Sequence, residues 1–592
     1  MKENKLIIGT AVTGCRIADP DSNSAEIRRV MESNADCDLL VFPDLCITGS
    51  TCGDLFRQKF LLEKSRQALY SLKSAAFPHT AVIGFPMQIG SAVYDCSAVI
   101  RSGEWSGIVP LRLLHGECAP LPEKVLFDGV EIPLGKNTVF PIEDRWFAII
   151  TEKELLQGEK HPEADICVCL DTRPDEAGRR DAAEQQTKAF SGANHCTIVY
   201  VTCSPEESTT DSVYPGRMIA AKNGTVLSIA DWTDLPYCMK TMLGDETPAD
   251  TLLSASTLVS EDNPYPFLDP DPVKRRQQSS EILNLQARGL YMRMKKTGIR
   301  TMVLGVSGGL DSTLALLVCD QVRKLDPSLR IVGVTMPSKG NTSDRTKDNA
   351  LRFMDVLGIE SREIPIHDEL VVHLRSIGHP EHYAGSSDVV YENAQARIRT
   401  LILMDIANME NGLVVGTGDL SEIALGWCTY SGDQMSMYGV NGSVPKTQVR
   451  AVCRDTADTC GNEALKEVLY SIIDTPISPE LTPNRNGTIQ QKTEEHVGDY
   501  AINDYYLYWM VKEGRTPAEL LAGAQKAFPD RDRDTLKEHL KRFIKRFFTQ
   551  QFKRSCSPDG AKAGILSLSP RTDWHMPSDA DASLFLSETD RL

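Results

Sequence analysis

The stretch MVLGVSGGLDSTLALLV, Met302–Val318, decides the fold of the second half of the chain. Apolar residues before Ser307 predict a strand, and the apolar periodicity after the loop predicts a helix. The first N–H groups of a helix lack partners and carry the positive end of its dipole, so this junction favours anions. Gly308 and Gly309 let the backbone approach a phosphate, and Asp311 can ligate a Mg²⁺ that bridges phosphate oxygens. The loop therefore predicts a site for a magnesium-bound nucleotide.

A Walker A loop would require GxxxxGK[ST], which the sequence does not contain. The hexapeptide SGGLDS instead resembles the pyrophosphate loop of ATP pyrophosphatases, which cleave ATP to AMP and pyrophosphate while they adenylate a substrate. NAD synthetase, GMP synthetase, asparagine synthetase and tRNA-modifying enzymes share this loop. The alternative interpretation is an ordinary glycine-rich turn between a strand and a helix.

The length of 592 residues predicts several domains, and 41% hydrophobic with 24% charged residues is typical of soluble globular proteins. A net charge of −17 and a pI near 5.2 argue against a nucleic-acid partner, which weakens the tRNA-modifying alternative. Apolar runs are too short for a signal peptide or a membrane span, so we expect a cytoplasmic protein with no membrane partner. The basic run Lys537–Phe548 predicts a docked helix with a solvated basic face, in preference to a helix that binds a membrane or an acidic partner. The 16 cysteines include no CxxC pair, which indicates reduced, buried thiols.

The first half of the chain alternates apolar runs typical of strands with a few helical patterns. Strands this apolar are buried on both faces, so helices are expected to cover a central sheet or a pair of sheets. The composition becomes rich in proline and acidic residues between Asp245 and Pro272, which predicts a domain boundary. Beyond it, a helix over Val273–Lys296, a strand at IVGVTMP, a helix over Arg345–Leu357 and a strand at REIPI predict a parallel sheet with the ligand at its carboxyl edge.

A second group of motifs follows, in YENAQARIRTLILMDIAN and GLVVGTGDLSEIALGWCTYSGDQMSMYGVNGSVPKTQVR. A helix over Glu392–Asn408 places Asn393 and Arg397 four residues apart on one face. LVVGTGDLSE repeats the layout of a strand followed by a polar loop. Together with VPKT, these motifs resemble NAD synthetase, and the match is closest to the large bacterial, two-domain, glutamine-dependent form. The resemblance continues through QQFKRS and LSPRTDW and covers essentially residues 259–592.

This resemblance implies a role for each matching residue. The ATP phosphates would bind to Gly305, Val306, Ser307, Gly308, Gly309, Leu310, Asp311 and Ser312. Thr417 would bind the adenine nucleotide, Lys446 a phosphate group, and the pair Asp311 and Glu422 the Mg²⁺; Asp311, Glu422 and Lys446 form the catalytic set. Deamido-NAD would contact Asn393, Arg397, Glu422, Trp427, Cys428, Thr429, Tyr430, Asp433 and Lys553. Each residue taken alone also has a structural interpretation, such as a solvated helix face for Asn393 and Arg397, an N-cap partner for Glu422 or core packing for Trp427.

Residues 4–240 resemble a nitrilase-type glutaminase, through VFPDLCITGSTCGDLF and ESTTDSVYPGRMIAAKNG. Such a glutaminase uses Glu as a base, Lys as an electrostatic stabiliser and Cys as a nucleophile. The matching positions here read Asp44, Leu111 and Thr151. A Thr hydroxyl is far less acidic than a thiol and makes a poor nucleophile without a strong adjacent base. A rearranged site could use Arg112 for the lysine and Cys46 or Cys118 for the thiol.

The interpretation is an α/β protein with two domains. Residues 1–258 are expected to form a nitrilase-like αββα sandwich without glutaminase chemistry, and residues 259–592 a doubly wound, Rossmann-like ATP-pyrophosphatase domain with a C-terminal helical extension. The expected reaction makes NAD from deamido-NAD, ATP and ammonia, with Mg²⁺, and releases AMP and pyrophosphate. The resemblance also implies a homo-oligomer, an octamer in that family. A glutamine-hydrolysing synthetase with a displaced nucleophile and a catalytically silent metabolite-binding or assembly protein are the alternatives.

Overall fold

The computed structural model describes residues 5–75, 77–118, 120–243, 259–338, 343–379, 388–476 and 497–592. The described residues fall into two compact units. Unit 1 draws on Met1–Thr209 and Val213–Ser256, and unit 2 draws on Thr210–Ser212 and Thr257–Leu592. The DETPAD part of the expected domain boundary lies outside the described residues.

Unit 1 contains two six-stranded sheets and one two-stranded ribbon. Its strands are β1 Leu6–Val12, β2 Leu39–Val41, β3 Thr80–Ile89, β4 Ala92–Arg101, β5 Glu104–His115, β6 Lys124–Phe127, β7 Val130–Pro133, β8 Val139–Ile142, β9 Arg145–Thr151, β10 Ile166–Asp171, β11 Thr197–Thr202, β12 Met218–Lys222, β13 Thr225–Ala230 and β14 Tyr237–Leu243. The first sheet has the order β14-β1-β2-β3-β4-β5 and the second β13-β12-β11-β10-β9-β8, each with a parallel centre and antiparallel edges. The ribbon pairs β6 with β7.

The two large sheets share one apolar core, to which both contribute, for example Val41 and Val82 from the first and Val168 and Val199 from the second. The helices of unit 1 are α1 Pro20–Ser33, α2 Lys59–Lys73, α3 Glu152–Gln157 and α4 Arg179–Ala193. Helices α1 and α2 pack on the outer face of the first sheet, and α3 and α4 on that of the second. Buried strands require cover on both faces, so unit 1 is the expected αββα sandwich.

Unit 2 is built on a five-stranded parallel sheet. Its strands are β15 Thr301–Gly305, β16 Arg330–Thr335, β17 Glu360–Glu363, β18 Gly412–Gly416 and β19 Tyr438–Gly439. Their order is β17-β16-β15-β18-β19, so the chain starts at β15, builds outward to one side and then returns to build the other. This is a doubly wound sheet, and its switch point lies between β15 and β18.

The helices of unit 2 surround the sheet and extend towards the C-terminus. They are α5 Pro272–Thr297, α6 Leu310–Leu325, α7 Asp344–Val356, α8 His367–Ser376, α9 Val389–Met409, α10 Leu420–Leu425, α11 Lys446–Thr459, α12 Glu463–Ile473, α13 Tyr500–Leu507, α14 Pro517–Ala527, α15 Arg533–Thr549, α16 Gln551–Arg554 and α17 Ser583–Arg591. Helix α15 buries Leu540, Phe543 and Phe547 in a core with α13 and α14, which confirms the predicted docked helix. Among the described helices, none has the length and apolarity to span a bilayer.

Most predicted elements are present with shifted ends. Helix α5 begins at Pro272, one residue before the predicted Val273, because Pro is favoured at the first helical position and Asp271 caps the helix through its side chain. The strand predicted at REIPI is wrong in its bounds, since β17 covers Glu360–Glu363 and ends before the apolar residues. As an edge strand with mainly exposed side chains, β17 lacks the apolar run by which buried strands are recognised.

Candidate active site

The loops that follow β15 and β18 lie side by side at the switch point of the unit 2 sheet. Strand β15 pairs with β18, and both end at a glycine, Gly305 and Gly416. The first loop enters α6 and the second enters α10. Because parallel strands point their carboxyl ends to the same edge, the two polar loops and the two helix N-termini share one crevice.

The SGGLDS loop has the conformation that a phosphate cradle needs. Gly308 has φ +85°, and a Cβ there would lie 2.2 Å from the carbonyl oxygen of Thr346, so only glycine fits. The Ser312 hydroxyl accepts from the Ser307 amide at 3.2 Å, and the Ser307 hydroxyl accepts from the Gly309 amide at 3.2 Å. The hydroxyl groups of Ser307 and Ser312 therefore stabilise the loop from within.

Asn441 joins the two loops. Its amide nitrogen donates to the carbonyl oxygens of Asp311 and Thr417, both at 2.9 Å. Gln286 of α5 holds Asn441 in turn, with 3.0 Å between the Gln286 amide nitrogen and the Asn441 amide oxygen. Both amides are buried, so this bridge fixes the position of the Asp311 backbone relative to the Thr417 backbone.

Three carboxylates surround the ammonium group of Lys446. The Lys446 Nζ lies 2.6 Å from Asp311 Oδ2, 2.8 Å from Asp419 Oδ2 and 3.0 Å from Glu422 Oε1. Lys446 is the first residue of α11 and is 2% exposed. The aromatic ring of Tyr500 lies 5.2 Å from Nζ. The predicted catalytic residues Asp311, Glu422 and Lys446 are thus brought together from three elements.

The charges of this cluster are strongly coupled. Burial disfavours the Lys446 ammonium, but the carboxylates of Asp311, Asp419 and Glu422 outweigh it and raise the pKa of Lys446 well above its usual range. Burial raises the pKa of Asp419 and of Glu422, and Lys446 opposes both shifts. One ammonium group faces three carboxylates, so the site favours further positive charge.

The same carboxylates fit a divalent cation. One oxygen from each of Asp311, Asp419 and Glu422 lies within 4.8 Å of the others. Asp311 Oδ1 is buried and has no hydrogen-bond partner among the described residues. Carboxylate oxygens are the ligands that Mg²⁺ prefers. The donor set therefore suits Mg²⁺ and adds Asp419 to the predicted pair.

A second group of predicted residues lies around the loop that follows α10. The Asn393 amide oxygen accepts from the Thr429 hydroxyl at 2.8 Å, and Arg397 Nε donates to the Tyr430 carbonyl at 3.3 Å. Asp433 accepts from the Thr429 amide at 2.7 Å.

Lys553 and Trp427 complete this group. Lys553 Nζ donates to the carbonyls of Gly426 and Cys428, at 2.8 and 2.7 Å. The guanidinium group of Arg546 lies 5.3 Å from the centre of the Trp427 ring. All residues predicted to contact deamido-NAD therefore lie on α9, on α10, on the loop that follows it or at the α16 turn.

Sequence reasoning missed several residues that position this site. The sequence position of Asp419 is typical of a helix cap, and Asp419 does cap α10, because its Oδ1 accepts from the Glu422 amide at 2.8 Å. Its other carboxylate oxygen, Oδ2, lies beside Lys446. Asp504 accepts from the amide and the hydroxyl of Thr447 at 3.0 and 2.7 Å, and from the hydroxyl of Ser421. Burial raises the pKa of Asp504 to about 6, although these hydrogen bonds lower it. Asp504 is 193 residues from Asp311 by residue number and carries no motif, so the sequence offers no signal for it.

Unit 1 contains a second cation among carboxylates. Arg112 donates to Asp44, and its Nε lies 3.3 Å from Asp95 Oδ2. Its NH1 group lies 3.3 Å from Glu152 Oε2. Arg112 also donates to the Thr172 hydroxyl. Asp44 and Asp95 are each 1% exposed. Burial and the neighbouring Asp44 raise the pKa of Asp95 well above its usual range.

The residue that faces Asp44 is Arg112, where the motif alignment predicted Leu111. Strand β4 pairs Asp95 with Arg112 and Cys96 with Pro110, so Leu111 is the extra residue of a β-bulge. Leu111 is 4% exposed and lies in the core between the sheets. A bulge re-aims the side chains that follow it, which explains why the sequence pattern named the neighbouring residue.

Thr151 serves as a helix cap. Its hydroxyl donates to Glu154 Oε2 at 2.8 Å and accepts from the Glu154 amide at 3.4 Å, which makes a capping box at the start of α3. Cys46 is 2% exposed, and burial raises the pKa of its thiol well above the usual value. Cys118 is exposed. A cavity of about 310 Å³ borders Arg112 and Thr151, so space remains beside these residues.

The fold and site of unit 2 define a nucleotide-dependent synthetase, and comparison with known proteins identifies its family. The family model for NAD synthase matches residues 282–556. The glutamine-dependent NAD(+) synthetase of Mycobacterium leprae (strain TN) is 31% identical over 97% of this chain and 96% of its own length. The enzyme of the same name from Thermotoga maritima is 26% identical, over 93% and 94%.

Solved structures share the fold over the whole chain. The crystal structure of a glutamine-dependent NAD(+) synthetase from Cytophaga hutchinsonii has a TM-score of 0.79 and 17% identity, and the match covers 99% of this chain and 100% of that one. The enzyme from Acinetobacter baumannii, solved with adenosine diphosphate, has a TM-score of 0.64 and 20% identity, with 97% and 98% coverage. The chain belongs to the NAD synthetase family, whose members are ligases that form a C–N bond.

Proposed function

We propose that this chain amidates deamido-NAD to NAD in an ATP-dependent reaction, releases AMP and pyrophosphate, and takes its nitrogen from ammonia. The observation that carries the synthetase part is the meeting of Asp311, Asp419 and Glu422 around Lys446 at the switch point of the sheet. A carboxylate is a poor electrophile, so amide formation requires its activation as an acyl adenylate. The geometry supplies what that activation needs.

The chain's residues divide this work among them. The loop Gly305–Ser312 offers backbone amides and hydroxyls to the phosphates at the start of α6, and Thr417 borders the same crevice. Lys446 keeps its charge because its pKa is raised, so it provides a fixed cation for the phosphate oxygens and the leaving pyrophosphate. Asp311 and Glu422, with Asp419, would hold Mg²⁺, which neutralises phosphate charge when bound. The Acinetobacter baumannii relative was solved in complex with adenosine diphosphate, which supports a nucleotide as a ligand of this chain.

The loop after α10 is the proposed site for deamido-NAD. Trp427 offers a ring that is partly exposed, and Asn393, Arg397 and Lys553 form hydrogen bonds to the same loop. Isothermal titration tests this assignment. Trp427→Ala is expected to weaken deamido-NAD binding by about tenfold, because an aromatic platform typically contributes about 1–2 kcal/mol. The matched control is Trp146→Ala, an exposed tryptophan of unit 1. Equal binding of deamido-NAD by Trp427→Ala and wild type would show that the site does not include Trp427.

The nitrogen source is the finer part of the proposal. The observation that supports ammonia is the capping box of Thr151, because the only base that its hydroxyl meets among the described residues is the carboxylate of Glu154, and a carboxylate is too weak a base to turn an alcohol into a strong nucleophile. Cys46 is no substitute, since burial raises its thiol pKa. Arg112 supplies a cation beside Asp44, but it is shared among Asp44, Asp95 and Glu152.

Initial rates with two nitrogen donors test this part. Purified protein free of contaminating glutaminase should form NAD from ammonium chloride, and glutamine should give neither NAD nor glutamate. The names of the relatives make glutamine-dependent turnover the competing result. Stoichiometric glutamate and NAD from glutamine would refute the ammonia proposal and leave the synthetase assignment intact.

The expected homo-oligomer also stays a proposal. Several large apolar side chains of α8 and α9 are exposed, among them Val372, Val389, Leu401 and Met409. Apolar groups of this kind favour self-association. Light scattering of wild type and Leu401→Asp tests it, and a wild type that stays monomeric at micromolar concentration would overturn it.

A further inference from the structure

Three residues from the first half of the chain belong to unit 2. The segment Thr210–Ser212 lies between β11 and β12 in the chain, but it groups with the residues from Thr257 onward. Thr210 has φ +56°, in the left-handed region that β-branched residues avoid. Strained backbone persists where the surrounding structure holds it in place. The turn places the Asp211 side chain against the C-terminal part of unit 2.

Asp211 is a buried carboxylate whose two oxygens accept four hydrogen bonds. Oδ1 accepts from the Gly560 amide at 3.1 Å and from Arg571 NH2 at 3.2 Å. Oδ2 accepts from the Ser569 hydroxyl and from Arg571 Nε, both at 2.8 Å. The Asp211 carbonyl also accepts from the Lys562 amide at 2.9 Å. Asp211 is 4% exposed, so water has little access to replace these hydrogen bonds if they are lost.

All these donors lie on one irregular segment, residues 557–571, which we call the wall segment. It contains no helix and no strand, so side-chain contacts decide its position. The Ser443 hydroxyl accepts from the Ala563 amide at 2.8 Å, and the Gly439 amide donates to the Asp559 carbonyl at 2.7 Å. Arg293 also pairs with Asp559, and Lys512 Nζ donates to the Ile565 carbonyl at 3.1 Å. Asp211 is therefore one of several anchors of the wall segment, and its carboxylate accepts four hydrogen bonds from it.

The wall segment borders a cavity of about 60 Å³. Asp211, Gly560 and Ser569 line this cavity together with Cys428, Asp433 and Lys553. The last three residues belong to the proposed deamido-NAD site. A displaced wall segment would change the space around them.

We propose that Asp211 is a positioning residue for the synthetase reaction, because it holds the wall segment against the deamido-NAD site. This inference rests on the function proposed above for Cys428, Asp433 and Lys553. It gives the first half of the chain a part in synthetase turnover that needs no glutaminase chemistry.

Kinetics of Asp211→Ala and Asp211→Asn with ammonium as the nitrogen donor test the inference. The KM for deamido-NAD should rise about tenfold in Asp211→Ala. It should rise only about threefold in Asp211→Asn, because asparagine keeps one acceptor oxygen. The KM for ATP of both variants should stay within about twofold of the wild-type value. The matched control is Asp231→Ala. Asp231 is a carboxylate of unit 1 that pairs with Arg180 and Arg217 at 3.6 and 3.5 Å, and its loss should leave both KM values unchanged.

The outcomes separate this inference from the proposed function. A wild type that forms no NAD from deamido-NAD, ATP and ammonium refutes the proposed function. An active wild type with an unchanged deamido-NAD KM in both Asp211 variants overturns the inference alone. A uniform fall in kcat and in both kcat/KM values, with a lower Tm, also overturns it, because a merely structural role predicts that pattern. A rise in the deamido-NAD KM at unchanged Tm supports it.

Discussion

The Lys446 cluster of unit 2 and the Arg112 cluster of unit 1 each place one cation among three carboxylates. Lys446 meets Asp311, Asp419 and Glu422, and Arg112 meets Asp44, Asp95 and Glu152. The number and sign of the charges therefore do not distinguish the two clusters. They differ in the groups that surround these charges.

The Lys446 cluster stands beside a glycine-rich loop and two helix N-termini, so groups that bind anions converge on it. The Arg112 cluster stands beside Thr151, whose hydroxyl caps a helix, and a cavity of about 310 Å³ that contains no activated nucleophile among its described lining residues. A coupled charge cluster is therefore a candidate site only when reactive or ligand-binding groups adjoin it.

The comparison predicts its largest effect at Asp311. Asp311→Ala removes a carboxylate from the phosphate loop and should lower NAD formation by about three orders of magnitude, because losing one positioned group typically costs about 10²–10⁴. The measurement is turnover at saturating Mg²⁺, ATP, ammonium and deamido-NAD. Asp320→Ala is the matched control, since Asp320 lies on the same helix and pairs with Arg323 and Lys324. Near wild-type turnover in Asp311→Ala would end the assignment of the loop.

Replacing the cation of unit 1 should change stability and spare activity. Arg112→Met leaves Asp44, Asp95 and Glu152 without their cation and should destabilise unit 1 by about 3 kcal/mol, the usual cost of breaking a buried ion pair. Hydrogen exchange of β4 and β5 measures the loss. Turnover with ammonium should stay within about twofold of wild type under conditions where unit 1 is folded. A tenfold loss of turnover with unchanged exchange would show that the two clusters are not independent in function.

The smallest effect concerns pH. Asp504 has a folded-state pKa of about 6, above the value of 3.8 for a free carboxyl, so wild type loses stability as pH rises between these values. Asn at this position does not titrate. The stability of Asp504→Asn relative to wild type should therefore rise by about 2 kcal/mol between pH 4.5 and 6.5. Denaturant unfolding of unit 2 at several pH values measures it, and a constant difference would contradict the raised pKa.

Part of this molecule could be predicted from its sequence. The apolar strands and the SGGLDS loop predicted the parallel sheet and the loop at its edge, because these features depend on short-range patterns. Glu422 and Lys446 were predicted from the resemblance to NAD synthetase. Asp419 was missed because an aspartate before a helix is usually a cap, and Asp504 because its role depends on a contact distant in the chain. The motif alignment matched Leu111 to the family's lysine and left Arg112 as the alternative, because a β-bulge that shifts the facing side chain by one residue is not visible in an alignment.

We expect the nitrogen of NAD to come from ammonia and unit 1 to hydrolyse no glutamine. A labelling experiment tests this: it supplies ATP, deamido-NAD, glutamine labelled with ¹⁵N in its amide and an excess of unlabelled ammonium, and then determines the mass of the NAD formed. Excess unlabelled ammonium dilutes any label released by a contaminating glutaminase. We expect NAD that carries unlabelled carboxamide nitrogen, with no glutamate released. NAD that carries ¹⁵N, with one glutamate released for each labelled molecule, would contradict it.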